Sequence, residues 1–468
     1  MVRRVLRAEW GKTVFQGEDM KENQILQWKR DGERVGWVGV LLLAAILLAL
    51  LAGFRAQAAE DEDDPAVRNA TALVKEGREI FRYDTFGGER LWGGTFRLHE
   101  AIAGAPNGGI GLGVSPKTAL TVGLKVDIEK LPAPLVDALK RGDVDLDSPA
   151  TTVALLKLNS VVGITGFFDK QGQLTSLGTQ CALCHSTVDD SFAPGIGRRL
   201  DGWANRDLNI GAIINLSPDL SAIAEAVDVD QGVVRQVLVS WGPGKFDASL
   251  LLDGKALRPD GRTGAVLIPP AFGLGGVNLH TWTGWGSISY WNALVANLEM
   301  GGVGTFFDPR LNDEERFPVA AKLGSHNVRN EEDQITPKLH ALQVYQLTIP
   351  VPKGNIHPFD HRARRGKEIF GEKAKCAQCH VPPIFTEPGH NLHTPEEICI
   401  DSFQADRSPT GAYRTAPLGG LSTHSKGGFY HDGRFPTLDA VVDHYDACLD
   451  LGLSGPDKFD LVVYLKTL

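Results

Sequence analysis

Two short runs constrain this chain more than any other feature: Cys181-Ala-Leu-Cys184-His185 and Cys376-Ala-Gln-Cys379-His380. Each reads C-x-x-C-H, the spacing at which two thiols form thioethers to the vinyl groups of one haem and the adjacent imidazole reaches its iron. Covalent attachment lets a loop-rich chain hold haem with a modest pocket. A redox dithiol rarely needs a following His, and a zinc site needs more Cys or His nearby. Two copies in one chain favour haem over both. The motifs therefore predict two covalently bound haems c. Cys181, Cys184, Cys376 and Cys379 are the attachment points, and His185 and His380 the proximal iron ligands.

The compartment agrees. The run 35–54, "VGWVGVLLLAAILLALLAGF", carries no charge over 20 residues and is long enough to span a bilayer as a helix. Arg3, Arg4, Arg7, Lys12, Lys21, Lys29, Arg30 and Arg34 precede it. The positive-inside rule keeps 1–34 cytoplasmic and exports the rest. Ala56-Gln57-Ala58 is a candidate cleavage site. Signal peptide and uncleaved membrane anchor both stay open, with Met20 a second candidate start, and either makes the body of the chain periplasmic. The pair Cys399 and Cys448 lies outside the motifs and can form a disulfide in that compartment or stay as two buried thiols. The net charge of −9, with no basic patch, argues against nucleic acid and suits a small basic redox protein as electron donor.

A weak internal repeat organises the remainder. "EGREIF" (76–81) and "RGKEIF" (365–370) are near copies with a helical apolar period. The second precedes its haem motif closely; the first stands about 100 residues from Cys181. The chain thus reads as mainly α, with two cytochrome c-type haem domains joined by long loops, the first carrying a large insertion. Within that insertion, 131–163 reads as short helices separated by Pro and Gly turns. "TIPVPKGNIHPFD" (348–360) is stiff, extended and not helical. The domains are then 66–347 and 355–468. "GPDKFDLVVYLKTL" predicts a closing amphipathic helix with Leu461, Val462 and Leu465 inward.

The sixth iron ligand decides between electron transfer and reactivity. Met is scarce: Met1 and Met20 precede the apolar run, so only Met300 could serve a His/Met haem. The C-terminal run through Tyr430-His431-Asp432-Gly433, Thr437-Leu438 and a following helix resembles the bacterial di-haem cytochrome c peroxidase and MauG family. That resemblance implies that the ligand of the C-terminal haem lies on this helix, about 14 residues after His431. Tyr445 stands there, with His444 as its rival. The stretch 268–300 resembles the family segment that runs through a Trp to Glu-Met. The resemblance implies that Trp282 is the ring between the haems. It implies that Glu299 is the distal acid that moves a proton between the oxygens of peroxide. Met300 is then the neighbour of that acid. Read from the residues alone, Trp282 could equally be aromatic core beside Trp285 and Trp291, and Glu299 a solvated helix-end charge.

Two departures from the family pattern matter. Its loop after the first motif carries a displaceable His; here "APGIGRRLDGWANRDLN" has none, and no His occurs between His185 and His280. The first iron is therefore expected to keep an open side, unless His280 reaches back. Leu267 replaces the Asn expected at a calcium position, and "SKGG" replaces Thr-Ala-Pro, which leaves calcium uncertain. The export segment, the long insertion, "WGPGKFD" and "LHTWTGWG" are also similar to the di-haem rubber oxygenase RoxA and its relatives. The chain is expected to be an oxidoreductase of peroxidase or MauG-like chemistry acting on hydrogen peroxide. The alternatives are a RoxA-like dioxygenase using dioxygen on an apolar substrate, and a plain electron-transfer cytochrome.

Overall fold

The two near-copies fold alike. "EGREIF" forms the later turns of the Pro65–Tyr83 helix, and "RGKEIF" those of the His361–Gly371 helix. In each, the glycine lies directly against a second helix. A Cβ on Gly77 would stand 2.0 Å from the Ala341 carbonyl oxygen and 2.7 Å from Tyr345 Cβ. A Cβ on Gly366 would stand 2.0 Å from the Asp460 carbonyl oxygen and 2.7 Å from Tyr464 Cβ. The phenylalanine that ends each repeat meets that tyrosine edge to face: Phe81 with Tyr345 at 5.5 Å between centroids, Phe370 with Tyr464 at 5.3 Å. The partner helices are Thr336–Thr348 and Gly455–Leu465. Their matching segments, "ALQVYQLT" and "DLVVYLKT", complete the repeat and escaped the sequence reading.

The computed structural model describes residues 64–354 and 360–468. The apolar run 35–54 and the candidate cleavage site lie outside the described residues. Among the described residues, no helix is long and apolar enough to cross a membrane. The chain divides into two units between Ala70 and Thr71, and the motifs and core all belong to Thr71–Leu468. This unit is mainly helical, with five two-stranded sheets among its described residues. The insertion forms the short helices Ala133–Arg141 and Pro149–Lys157, separated by Gly142 in the left-handed region, φ 76°. The closing helix Gly455–Leu465 starts on a capping box of Ser454 and Asp457 and buries Leu461, Val462 and Leu465.

Four larger apolar clusters support the motifs. One is built from the insertion and the segments around it, between Trp92 and Ile268. A second joins Phe81, Ala182, Leu342 and Tyr345, and so seats the first motif on the first helix pair. A third joins Phe370, Val442, Leu461 and Tyr464, with Cys376 and Ala377 packed against it. The fourth gathers Trp285, Leu294, Phe306 and Phe317. The Cys399–Cys448 disulfide forms, with Cα atoms 6.0 Å apart, and ties the loop before residue 403 to the Leu438–Leu449 helix.

Candidate functional site

A hairpin delivers the first motif. Strands Ile164–Phe168 and Leu174–Thr179 pair antiparallel, and the second runs straight into Gln180-Cys181. Residues Ala182–His185 make a single helical turn. Gly163 lets the hairpin close on that turn, because a Cβ there would lie 2.2 Å from Leu183 Cα. The next strand, Ser186–Val188, pairs with Arg199–Asp201. The turn is thus held on both sides by backbone pairing.

Cys181, Cys184, His185, Trp282, Glu299 and Met300 all line one cavity, which contains about 1200 Å³ of space free of protein atoms, part of it open to solvent. Burial pushes both thiols up to about 12. They stay protonated, unlike the depressed thiols of redox or zinc-binding C-x-x-C pairs. The four motif cysteines form no disulfide. His185 Nδ1 lies 3.1 Å from the Pro269 carbonyl oxygen. A carbonyl only accepts, so Nδ1 carries the proton and Nε2 is left as the ligand nitrogen. His380 repeats this, with Nδ1 3.1 Å from the Phe385 carbonyl oxygen. Two oriented imidazoles, four protonated thiols and a roomy cavity at the first motif fit covalent haem.

Glu299 ends a π-helical turn, Val295–Glu299, that continues the Ile288–Leu294 helix. Such turns displace a side chain from the regular helical face and recur at functional sites. Here Glu299 Oε1 is enclosed without a hydrogen-bond partner. Burial, aided by the charge of Asp247, pushes its carboxyl up to about 8. It therefore carries its proton at neutral pH.

Trp282 stands where the first and C-terminal segments meet. Its Nε1 donates to the Leu267 carbonyl at 2.9 Å, and the Leu267 N–H donates to the His431 carbonyl at 2.7 Å. Arg414 grips the same segment through the Thr281 carbonyl and, at 2.9 Å, the Leu279 carbonyl. Its backbone N–H donates to the Trp282 carbonyl at 3.1 Å. His280 is not among the residues lining the cavity; its Nε2 lies 3.1 Å from the Val277 carbonyl oxygen.

At the second motif, the two candidate ligands face different ways. His444 Nε2 lies 2.9 Å from the Ile398 carbonyl oxygen, beside the disulfide. Tyr445 is held above its ordinary pKa by burial, with the Cys379 and Cys376 thiols adding to the rise. Its ring tilts against Tyr430 at 6.1 Å between centroids.

Several residues in and around the site gave no signal in the sequence. Arg407 lines the cavity, fully enclosed. It holds Asp253 at 2.8 Å and Asp247 at 2.9 Å, and donates to the Gly264 carbonyl at 3.1 Å. Burial pushes Asp247 up to about 6 against the attraction of Arg407. Trp285 and Trp291, which the sequence offered only as aromatic core beside Trp282, stand 5.0 Å apart between centroids and add aromatic wall. Beside the second motif, Cys379, Glu387 and His393 place ligand-type atoms within 4.8 Å of one another. Glu387 there is already engaged by His393 at 2.6 Å, Thr415 at 2.5 Å and Asn391 at 2.5 Å.

No family model matches the chain. It is similar to the methylamine utilization protein MauG of Methylorubrum extorquens, 31% identical over 123 residues, which cover 23% of this chain and 34% of that protein. The matched part thus spans about a third of the relative's length. A solved structure of Kuenenia stuttgartiensis hydrazine synthase, pressurized with 20 bar xenon, overlaps 46% of this chain and 76% of its own. At 16% identity and a TM-score of 0.26, it establishes no shared fold. The likeness to MauG agrees with the peroxidase and MauG side of the resemblance; the RoxA-like side has no counterpart in these matches.

Proposed function

We propose that the chain is a di-haem c-type oxidoreductase that activates hydrogen peroxide at the Cys181–His185 motif and relays electrons through the Cys376–His380 motif. One observation carries this reading. A buried carboxyl with an unpartnered oxygen, Glu299, shares a cavity with the first C-x-x-C-H motif. Haem, when bound, supplies redox-active iron at each motif. Reducing peroxide to water takes two electrons and two protons, and a group held by His185 and another held by His380 would between them supply the electrons.

The chain's own residues supply the rest. His185 is oriented by Pro269 to ligate through Nε2. Glu299, protonated at neutral pH, gives its proton to the departing oxygen of peroxide and regains one from the other oxygen. Trp282, joined through Leu267 to His431, provides the ring between the two sites. Tyr445 closes the second site, and His444 holds the Ile398 loop. The similarity to MauG supports this assignment, and the two like helix pairs support haem domains at 66–347 and 355–468. The chain would work on the periplasmic side, released or anchored by its N-terminal segment, with a small basic redox protein as donor.

Mixing the holoprotein with hydrogen peroxide in a stopped-flow spectrometer tests the assignment. The haem absorption changes promptly, and Glu299→Gln slows that change by about 10²–10⁴-fold. An unchanged rate in Glu299→Gln removes the acid from the mechanism. The aromatic and aliphatic walls of the cavity, including Trp285, Trp291 and Leu252, favour a second reading: a RoxA-like dioxygenase with an apolar substrate. A stable dioxygen adduct of the reduced protein, with indifference to peroxide, would select it.

A further inference from the structure

Arg206 lies in the loop after the first motif, where the neighbouring Asn205 N–H donates to the Cys184 carbonyl at 2.9 Å. Its residue is 9% exposed, and Nη1 and Nη2 are enclosed with no hydrogen-bond partner. A guanidinium stays charged in proteins, and burying one without an acceptor costs several kcal/mol. The other deeply enclosed arginines each have a carboxylate within ion-pair distance, although the Arg199 guanidinium likewise makes no hydrogen bond. Arg407 holds Asp247 and Asp253, Arg258 holds Asp401 at 2.6 Å, and Arg199 faces Asp127 at 3.3 Å.

The nearest carboxylate in sequence offers no relief. Asp207 is taken by Lys125 at 2.7 Å and Lys426 at 2.5 Å. Both of its cations are lysines, and no ion pair joins it to Arg206. Across from Arg206, the His424 ring stacks on Phe429 at 5.6 Å, and its Nδ1 is likewise buried without a partner. His424 is near enough for the Arg206 charge to add to burial in pushing its ring down to about 4. Two glycines let the surrounding loops close in. A Cβ on Gly244 would stand 2.8 Å from the Arg206 carbonyl oxygen. One on Gly427 (φ 80°) would stand 3.0 Å from Leu267 Cδ2 and 3.8 Å from Arg206 Nη1.

We propose that Arg206 and His424 form a carboxylate-binding site between the two motifs, and that its ligand is a propionate of a haem held by this chain. The planar fork of Arg206 matches a carboxylate through two parallel N–H donors, and His424 offers a further donor. Choosing a propionate rests on the haem reading above; a carboxylate from solution is the other source of the same chemistry. Arg206 is on this account a positioning residue that sets the potential of one haem.

Spectroelectrochemical titration of the full-length holoprotein tests it, after counting haems per chain by the pyridine haemochrome spectrum. Without Arg206 the propionate charge is unbalanced and the ferric state gains. Arg206→Gln is expected to lower one midpoint by about tenfold in the reduction equilibrium, about 59 mV for one electron, and to leave the other in place. Arg206→Lys keeps the charge and is expected to restore most of the shift. It also serves if the Gln variant does not fold. Unchanged potentials in a folded Arg206→Gln overturn the propionate assignment. Calorimetric titration with acetate separates the sources. Acetate binding by the wild type that Arg206→Gln abolishes supports the site and overturns propionate as its ligand; no acetate binding together with unchanged potentials overturns the site. A chain without haem defeats the haem reading instead, and the acetate titration then decides the site alone.

Discussion

At the scale of single residues, Glu299 matters most, and its proton has a definite pH signature. The folded carboxyl is pushed up to about 8, whereas an unfolded Glu titrates near 4.3. Between those values the folded state binds more protons. The contribution to stability is complete below the unfolded pKa and is lost as pH rises through about 8. Thermal unfolding of Glu299→Gln across this range should show a flatter decline with pH than the wild type. Identical slopes would mean that the carboxyl is already ionised. The two candidate ligands at the second motif separate by substitution. Tyr445→Phe is expected to change the spin state of one haem, read by magnetic circular dichroism, and His444→Phe to leave both spectra alone. The opposite pattern would exchange their roles. The sequence exposed these residues because covalent haem chemistry fixes a spacing and the family segment fixes an order. It did not separate Tyr445 from His444, because neighbours on a helix differ by direction, and direction is set by packing. Arg206 and His424 were silent for another reason: an absent partner leaves no mark in a sequence.

Among elements, the two helix pairs make the clearest prediction. A methyl group at Gly77 or Gly366 would stand 2.0 Å from a backbone oxygen of the partner helix. Backbone cannot move aside as a side-chain tip can. Gly77→Ala and Gly366→Ala should each cost about 1–3 kcal/mol in denaturant unfolding. A neutral substitution would show that the helices slide apart freely. The disulfide adds a second constraint. Cys399→Ser with Cys448→Ser should lose about 2–4 kcal/mol, again read by denaturant unfolding; no loss would mean that the Ile398 loop is held by other contacts. The closing helix was legible from its apolar residues and the Leu438–Leu449 helix from the family segment; the Ser454–Asp457 capping box and the Thr437 cap that start them were not read from the sequence. The π-helical turn at Val295–Glu299 was not, because one inserted residue leaves the apolar pattern almost unchanged.

Over the whole molecule, contacts remote in sequence join the segment after the second motif to the segment after the first. Arg407 reaches back 154 residues to Asp253 and 160 to Asp247, and no local pattern could have announced that. Removing the cation strands two buried carboxylates. Arg407→Met should destabilise the protein by about 3–5 kcal/mol in denaturant unfolding, while adding Asp247→Asn and Asp253→Asn should recover part of the loss. If the added substitutions deepen the loss, the triad is not held together by charge. The same triad supplies Asp247, whose charge helps keep Glu299 protonated, so fold stability and site chemistry share one cluster. The proposed function requires a haem with an open side, reachable by peroxide, in the cavity at the first motif. Low-temperature EPR of the ferric holoprotein, before and after one equivalent of hydrogen peroxide, tests it most directly. A high-spin signal is expected beside a low-spin one, with prompt loss or change of the high-spin signal on addition. Two low-spin signals indifferent to peroxide would contradict it and leave an electron carrier.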